Sequence, residues 1–215
     1  MTDLIDWDAA FENGAHIPEG SSYPAYWQAR AAAYRAIARV RLDLPYGTEA
    51  RARFDLFLPD GTPKGVVLFV HGGYWKAFDK STWSHLARGA VARGWAVAIP
   101  SYTLAPDASL AQITRQIAQA IAVARAEVPG PLRLAGHSAG GHLVARMLCA
   151  DMPGGADRAV SISGLHDLRP LLRTKMNAVL GLSGDIAQAE SPALVAPRAG
   201  THLVAWVGGQ ERPEF

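Results

Sequence analysis

Residues Arg133 to Leu143 read RLAGHSAGGHL: an apolar run, a serine held between two glycines, then a helix-like pattern. A serine hydroxyl is a weak nucleophile at neutral pH, so its chemistry depends on a base, an orienting acid and a place for negative charge. Gly136-His137-Ser138-Ala139-Gly140 matches G-x-S-x-G, with the strand-like PLRLA before it and the helix-like GGHLVARMLCA after it. The glycines permit a sharp turn that lifts the hydroxyl beyond the end of a sheet, and the N-terminus of the following helix favours negative charge there. A unit of this kind predicts an α/β protein.

Outward from the serine the same rhythm recurs. Short apolar runs (VVLFV, WAVAIP, LRLAG, AVSISG, HLVAWVGG) alternate with helix-length segments, as expected for strands covered on both faces of a parallel sheet. Between the second and third runs Leu110, Ile113, Ile117, Ile121 and Ala124 fall on one helical face, with Asp107 or Ser109 placed as cap. His85 is expected on an amphipathic helix of the preceding segment. Upstream, RLDLPYG and ARARFDLFLP alternate with period two and PDGTPKG signals a turn, which predicts antiparallel strands at the start. The expected fold class is therefore α/β, an open, mostly parallel sheet with helices on both faces. One domain spans 1–215, with 1–39 as an N-terminal helical extension carrying YPAYWQARAAAYRAIARV, and 165–200 as a cap or lid insertion.

The bulk numbers narrow the partners. At 215 residues and 49% hydrophobic the chain is long enough for one well-buried core. A net charge of +2, with Arg and Lys scattered, marks no nucleic-acid or anionic-membrane surface. MTDLIDWDAAFENG lacks a secretion-signal pattern and no run approaches the roughly 18 apolar residues of a membrane span, so a soluble cytoplasmic protein is expected. The single cysteine, Cys149, lies in LVARMLCA and reads as a core residue. No His/Cys/Asp cluster has ligand spacing, so neither metal nor cofactor is expected.

A second piece of chemistry sits at Val66 to Trp75, VVLFVHGGYW. The two glycines after a strand let the backbone N–H groups of Gly72 and Gly73 face a developing oxyanion, joined by that of Ala139 directly after the serine. His71 reads as a residue that shapes this loop.

At these residues the chain resembles the α/β-hydrolases and, within them, the arylformamidase (kynurenine formamidase) branch, whose marker is HGGYW at His71 to Trp75. The likeness runs from YPAYWQARAAAYRA through SYTLAPDASL and GHSAGGHL to SGLHDLRPL and GGQERPEF. It implies a carboxylate after the seventh strand, and the matching position is Glu211, where an aspartate is more usual. Glu214 and Asp167 are the other acids near strand ends. The resemblance further implies a serine hydrolase that cleaves N-formyl arylamines such as N-formylkynurenine, with Ser138 and Glu211 catalytic. Gly72, Gly73 and Ala139 would form the oxyanion hole, with Tyr74 and Trp75 lining an aromatic pocket. A small-molecule substrate is the expected partner, and a homodimer is compatible with the fold. The alternatives are a general carboxylesterase of small acyl esters and a non-catalytic binding module of the same fold.

In the α/β-hydrolase order the histidine follows the acid. The seven histidines are His16, His71, His85, His137, His142, His166 and His202, all before Glu211. Only His166 has a loop address near the active face. The expectation is that a last strand with the catalytic histidine lies beyond Phe215, that HLVAWV is left as an apolar edge, and that the 215-residue chain is nearly inert by itself.

Overall fold

In the computed structural model, which describes residues 5–209, 211, 212 and 214, the apolar runs pair into a seven-stranded sheet. The strands are β1 (Val40–Pro45), β2 (Arg53–Phe57), β3 (Val66–Val70), β4 (Ala96–Pro100), β5 (Leu132–His137), β6 (Arg158–Ile162) and β7 (His202–Trp206). Their order is β1-β2-β4-β3-β5-β6-β7. β2 runs antiparallel to β1 and β4, and every later pairing is parallel. The antiparallel start and the parallel remainder follow the change from period-two alternation to continuous apolar runs.

Side-chain alternation divides the core between the two faces of the sheet. Leu56, Leu68, Val70 and Ala98 enter one layer, while Phe57, Phe69, Val97 and Ile99 enter the other. The first layer is covered by α1 (Trp7–Phe11), α4 (Leu110–Glu127) and α5 (Ala139–Arg146). The second is covered by α2 (Tyr23–Ile37) and α3 (Arg88–Val91), through Trp27, Tyr34 and Val91. Ser109 caps α4 by accepting the Gln112 N–H while the Gln112 side chain accepts the Ser109 N–H, so two otherwise orphaned donors are satisfied reciprocally.

The crossover from β3 to β4 departs from the expected helix. It forms 3-10 turns at Lys80–Thr82 and Ser84–Ala87, the second carrying His85, and only the four residues of α3 are α-helical. The reason is tertiary. The Arg35 guanidinium of α2 donates to the Ser81 carbonyl and, at 2.6 Å, to Ser84 Oγ, while Asp79 accepts the Ser81 N–H at 2.8 Å. The Ser81 carbonyl, which a continuing helix would pair with an N–H four residues on, is taken by Arg35, and Asp79 caps the short 3-10 turn instead.

Residues 165–200 carry a 3-10 turn (Arg169–Arg173), α6 (Asn177–Leu180) and α7 (Gly184–Ala189). They are tied to the body at the end of α7. Thr114 Oγ1 donates to Glu190 Oε2 at 2.7 Å and His142 Nε2 donates to the Glu190 carbonyl at 2.7 Å, while within the segment Ser191 Oγ accepts the Leu168 N–H at 2.8 Å. β7 differs from the other strands: all five of its residues are exposed, with Trp206 66% accessible.

Candidate active site

Register decides the site. Val66 to Val70 align with Leu132 to Gly136, so β3 and β5 end side by side and release His71-Gly72 beside His137-Ser138. On the other flank His137 is level with Ile162, and Ile162 with Trp206. Ser138 N–H then donates to the Ile162 carbonyl at 2.8 Å, and Ser163 N–H to the Trp206 carbonyl at 2.7 Å. Four strand ends thus place the HGG loop, Ser138, Ser163 and the turn before Glu211 along one edge.

Ser138 has φ 55° and ψ −119°, a backbone conformation rarely taken by a residue with a side chain. It turns the chain from β5 directly into α5, all eight residues of which are buried. Ser138 itself stays partly exposed, and no described residue bonds its Oγ. The Ala139 N–H begins α5, where the helix leaves its first donors unpaired. Gly72 approaches so closely that a Cβ there would lie 3.0 Å from the His137 carbonyl and 3.1 Å from Ser138 Cβ.

The HGG loop is held by buried groups. His71 donates Nδ1–H to the Gly72 carbonyl at 2.7 Å and stacks on Tyr102 at 4.6 Å. Burial pushes its pKa down to about 4, so the ring is neutral at pH 7. Tyr102 in turn donates to the His71 carbonyl at 3.1 Å. Trp75 is fully buried, edge-on to His142 at 5.1 Å, and offers no surface to a ligand in this conformation. Tyr74 is partly exposed and reaches back to the N-terminal segment.

Of the three acids near strand ends, Glu211 is the one whose charge acts on the serine turn. It follows β7, donates its N–H to the Gly208 carbonyl at 3.1 Å, and opposes the downward pKa shift that burial imposes on His137. Asp167 is engaged by Arg169 at 2.6 Å, which holds its carboxyl below the usual range. Glu214 faces Arg212 at 4.0 Å.

The histidines have other duties. His166, the loop histidine, bonds Ser161 Oγ at 2.9 Å through Nε2, and that serine is fully buried beneath Gly141 of α5. His142 is wholly buried on α5 with its Nε2 committed to Glu190, His16 contacts the Ala9 carbonyl at 3.1 Å, and His202 is exposed at the start of β7. His85 is half-buried in its 3-10 turn, and His137 lies against Trp83 at 6.5 Å.

Two supporting residues carry no sequence signal. Arg51 donates to the carbonyls of Tyr102 at 2.8 Å and Phe78 at 2.6 Å. Gln116 of α4 clasps Thr103, accepting its N–H at 2.8 Å and donating to its hydroxyl at 3.0 Å. Each reaches a partner on a distant segment, which neither periodicity nor motif spacing encodes. Among the described residues no three His, Cys, Asp or Glu side chains group as a metal site, and no helix is long and apolar enough to cross a membrane.

Residues 67–185 match the family described as alpha/beta hydrolase fold. A kynurenine formamidase of Danio rerio is 30% identical over 84% of this chain and 67% of its own length, and one of Salmo salar is 30% identical over 84% and 66%. The chain thus spans about two thirds of these relatives. A solved structure from a Silicibacter species, provisionally named a thioesterase, is 51% identical and superposes with a TM-score of 0.94 over 98% of this chain and 83% of its own. An inhibited esterase B of Lactobacillus rhamnosis shares the fold at 19% identity, with a TM-score of 0.63 over 81% of this chain and 70% of its own. Family match, strand order and the placement of the serine turn agree: the chain belongs to the α/β-hydrolase fold family, and kynurenine formamidases are among its relatives.

Proposed function

We propose that this chain is the main part of a serine hydrolase of the arylformamidase type, cleaving an N-formyl arylamine to formate and the free amine. The observation that carries the reading is the close approach of Gly72 to the His137–Ser138 turn, beside the first residue of α5. In this reading Ser138 Oγ attacks the formyl carbon and its proton passes to a base. The N–H groups of Gly72, Gly73 and Ala139 stabilise the oxyanion of the tetrahedral intermediate. The base then protonates the leaving arylamine, and water releases formate from the formyl-serine. Glu211 orients the base, and Tyr74, backed by Trp75, borders the aryl group. The steps require neither metal nor cofactor.

We propose that the base is a histidine supplied by the part of a longer enzyme that this chain, spanning about two thirds of its curated relatives, does not cover. His71, His142 and His166 have ring nitrogens committed to the Gly72 carbonyl, the Glu190 carbonyl and Ser161 Oγ, and this chain spans 83% of the Silicibacter chain.

The second reading is an esterase or thioesterase of small acyl groups. It is favoured by the provisional name of the 51% identical structure and by methylesterases among the relatives. The chemistry at Ser138 is the same, so the leaving group decides. The test compares kcat/KM for N-formylkynurenine, a short-chain aryl ester and an acyl thioester, each beside Ser138→Ala, in the 215-residue chain and in a form extended past Phe215. Preference for the formamide supports the first reading, and preference for an ester or thioester replaces it. A folded, extended protein that turns over none of them and resists a fluorophosphonate is a binding module.

A further inference from the structure

The loop after Gly72 is bent against its sequence. Gly73 has φ 115°, and three aromatic residues follow in the left-handed region: Tyr74 at 47°, Trp75 at 55° and Phe78 at 70°. Side-chain-bearing residues avoid that region, so such a run persists only where the surroundings over-determine it. The partners that do so can be named.

Tyr74 donates its hydroxyl to the Phe11 carbonyl at 2.5 Å, and burial pushes the Tyr74 pKa up, keeping the proton this bond uses. Phe11 is 2% exposed, in the same apolar layer as Leu168 and Leu171. α1 is pinned in turn to the 165–200 segment. Asp8 accepts the Lys175 N–H at 2.7 Å, and the Arg173 guanidinium lies 5.3 Å over the Trp7 ring. At the loop's other end Phe78 stands edge-on to Trp27 of α2 at 6.3 Å and to Trp83 at 5.7 Å. The Trp75 carbonyl between them accepts the Ala105 N–H at 2.8 Å.

We infer that α1 and α2, which lie outside the matched 67–185 region, hold the HGG loop in its left-handed form, and that Tyr74 is a positioning residue for the oxyanion donors. The catalytic consequence rests on the hydrolase reading; the mechanical coupling does not. α1 acts as a strap between the loop and the 165–200 segment, so a change at Asp8 is felt at Gly72 and Gly73.

The experiment is hydrogen exchange of the full 215-residue chain, followed in peptides covering 5–12, 71–79 and, as control, 110–127. Tyr74→Phe removes only the hydroxyl. It is expected to speed exchange in both 5–12 and 71–79 by about fivefold or more, the loss of one buried hydrogen bond, with 110–127 unchanged. Asp8→Ala, remote from the loop, is expected to speed 71–79 as well. Unchanged exchange of 71–79 in either variant overturns the inference, as does a rise of 110–127 in parallel, which would mean general loosening. A second arm, in a form extended past Phe215, follows phosphonylation of Ser138 by a fluorophosphonate, where the phosphonyl oxygen occupies the oxyanion site. Tyr74→Phe is expected to lower the maximal labelling rate with the half-saturating concentration unchanged, a split that general loosening does not produce. Absence of labelling in that extended form with Tyr74 unaltered counts against the hydrolase reading alone, and the exchange arm still decides the coupling.

Discussion

Gly140, two residues after Ser138, lies against the Val70 carbonyl at the end of β3, with no room for a side chain between them. A Cβ there would also meet the His71 carbonyl at 2.7 Å. This contact wedges the first turn of α5 into the strand that carries the HGG loop, so one glycine sets the distance between the two halves of the site. Gly140→Ala is expected to cost about 3 kcal/mol or more, because backbone rather than a flexible side chain must move. Gly184→Ala in α7, where nothing lies within 4 Å, is expected to be neutral or mildly stabilising. Urea unfolding of the two variants side by side measures the difference, and equal stabilities would mean the elbow is not so tightly wedged.

Ser138 holds a conformation that only glycine adopts freely. Ser138→Gly is therefore expected to raise stability by about 1–2 kcal/mol while removing all serine-dependent turnover and labelling. Ser138→Ala should remove the chemistry without that gain. A Ser138→Gly variant no more stable than Ser138→Ala would show that the turn is relaxed.

Lys80 is partly buried with its Nζ 2.8 Å from Asp55 and from Asp43, and the Asp55 side chain is 1% exposed while Asp43 faces solvent. Lys80→Met leaves the Asp55 carboxylate buried without a counter-charge. The expected loss is about 3 kcal/mol, concentrated where the loop after Phe78 meets β1 and β2. Lys80→Met with Asp55→Leu is expected to recover most of it, since the uncompensated charge is gone. Thermal unfolding of the single and double variants closes the cycle, and simple additivity would remove this ion pair from the account.

Two buried imidazoles set an acid limit. Burial lowers His71 to about 4, with Arg51 adding to the effect, and lowers His142 to about 3, with His166 and Arg146 adding. Each is neutral in the fold but takes a proton near pH 6.5 when unfolded, so the unfolded state binds more protons between pH 6.5 and about 4. Stability is full above pH 6.5 and falls on acidification through that window. Between pH 7 and 5 the two together are expected to remove roughly 3 kcal/mol. Equilibrium unfolding at half-unit pH steps reads the slope, and a flat profile down to pH 5 would mean that these rings are protonated in the native state.

The sequence by itself determined the alternation and the ends of the elements. The runs at 66–70 and 96–100 are apolar without a polar face, the run at 132–136 is interrupted only by Arg133, and that pattern is local, so their identity as covered strands needs no knowledge of partners. Ser109 with Gln112 marked where α4 begins, and the two glycines around Ser138 marked the turn, because capping and turn chemistry act over three or four residues. The family likeness, carried by HGGYW and GHSAGGHL, was legible for the same reason.

Tertiary structure alone decided what crosses those segments. The partners of Tyr74 and Phe11 are 63 residues apart, and those of Lys175 and Asp8 are 167 apart, distances at which no periodicity survives. The β3–β4 crossover has the composition of a helix, yet Arg35 takes its backbone acceptor and breaks it into 3-10 turns. Trp75 stands next to Tyr74 in an aromatic pair, but the left-handed loop sends it fully into the core while its neighbour stays partly exposed. Which side chain is buried, and what it bonds, follows from packing against chain that is distant in sequence, and so exists only once the sheet has closed the distance.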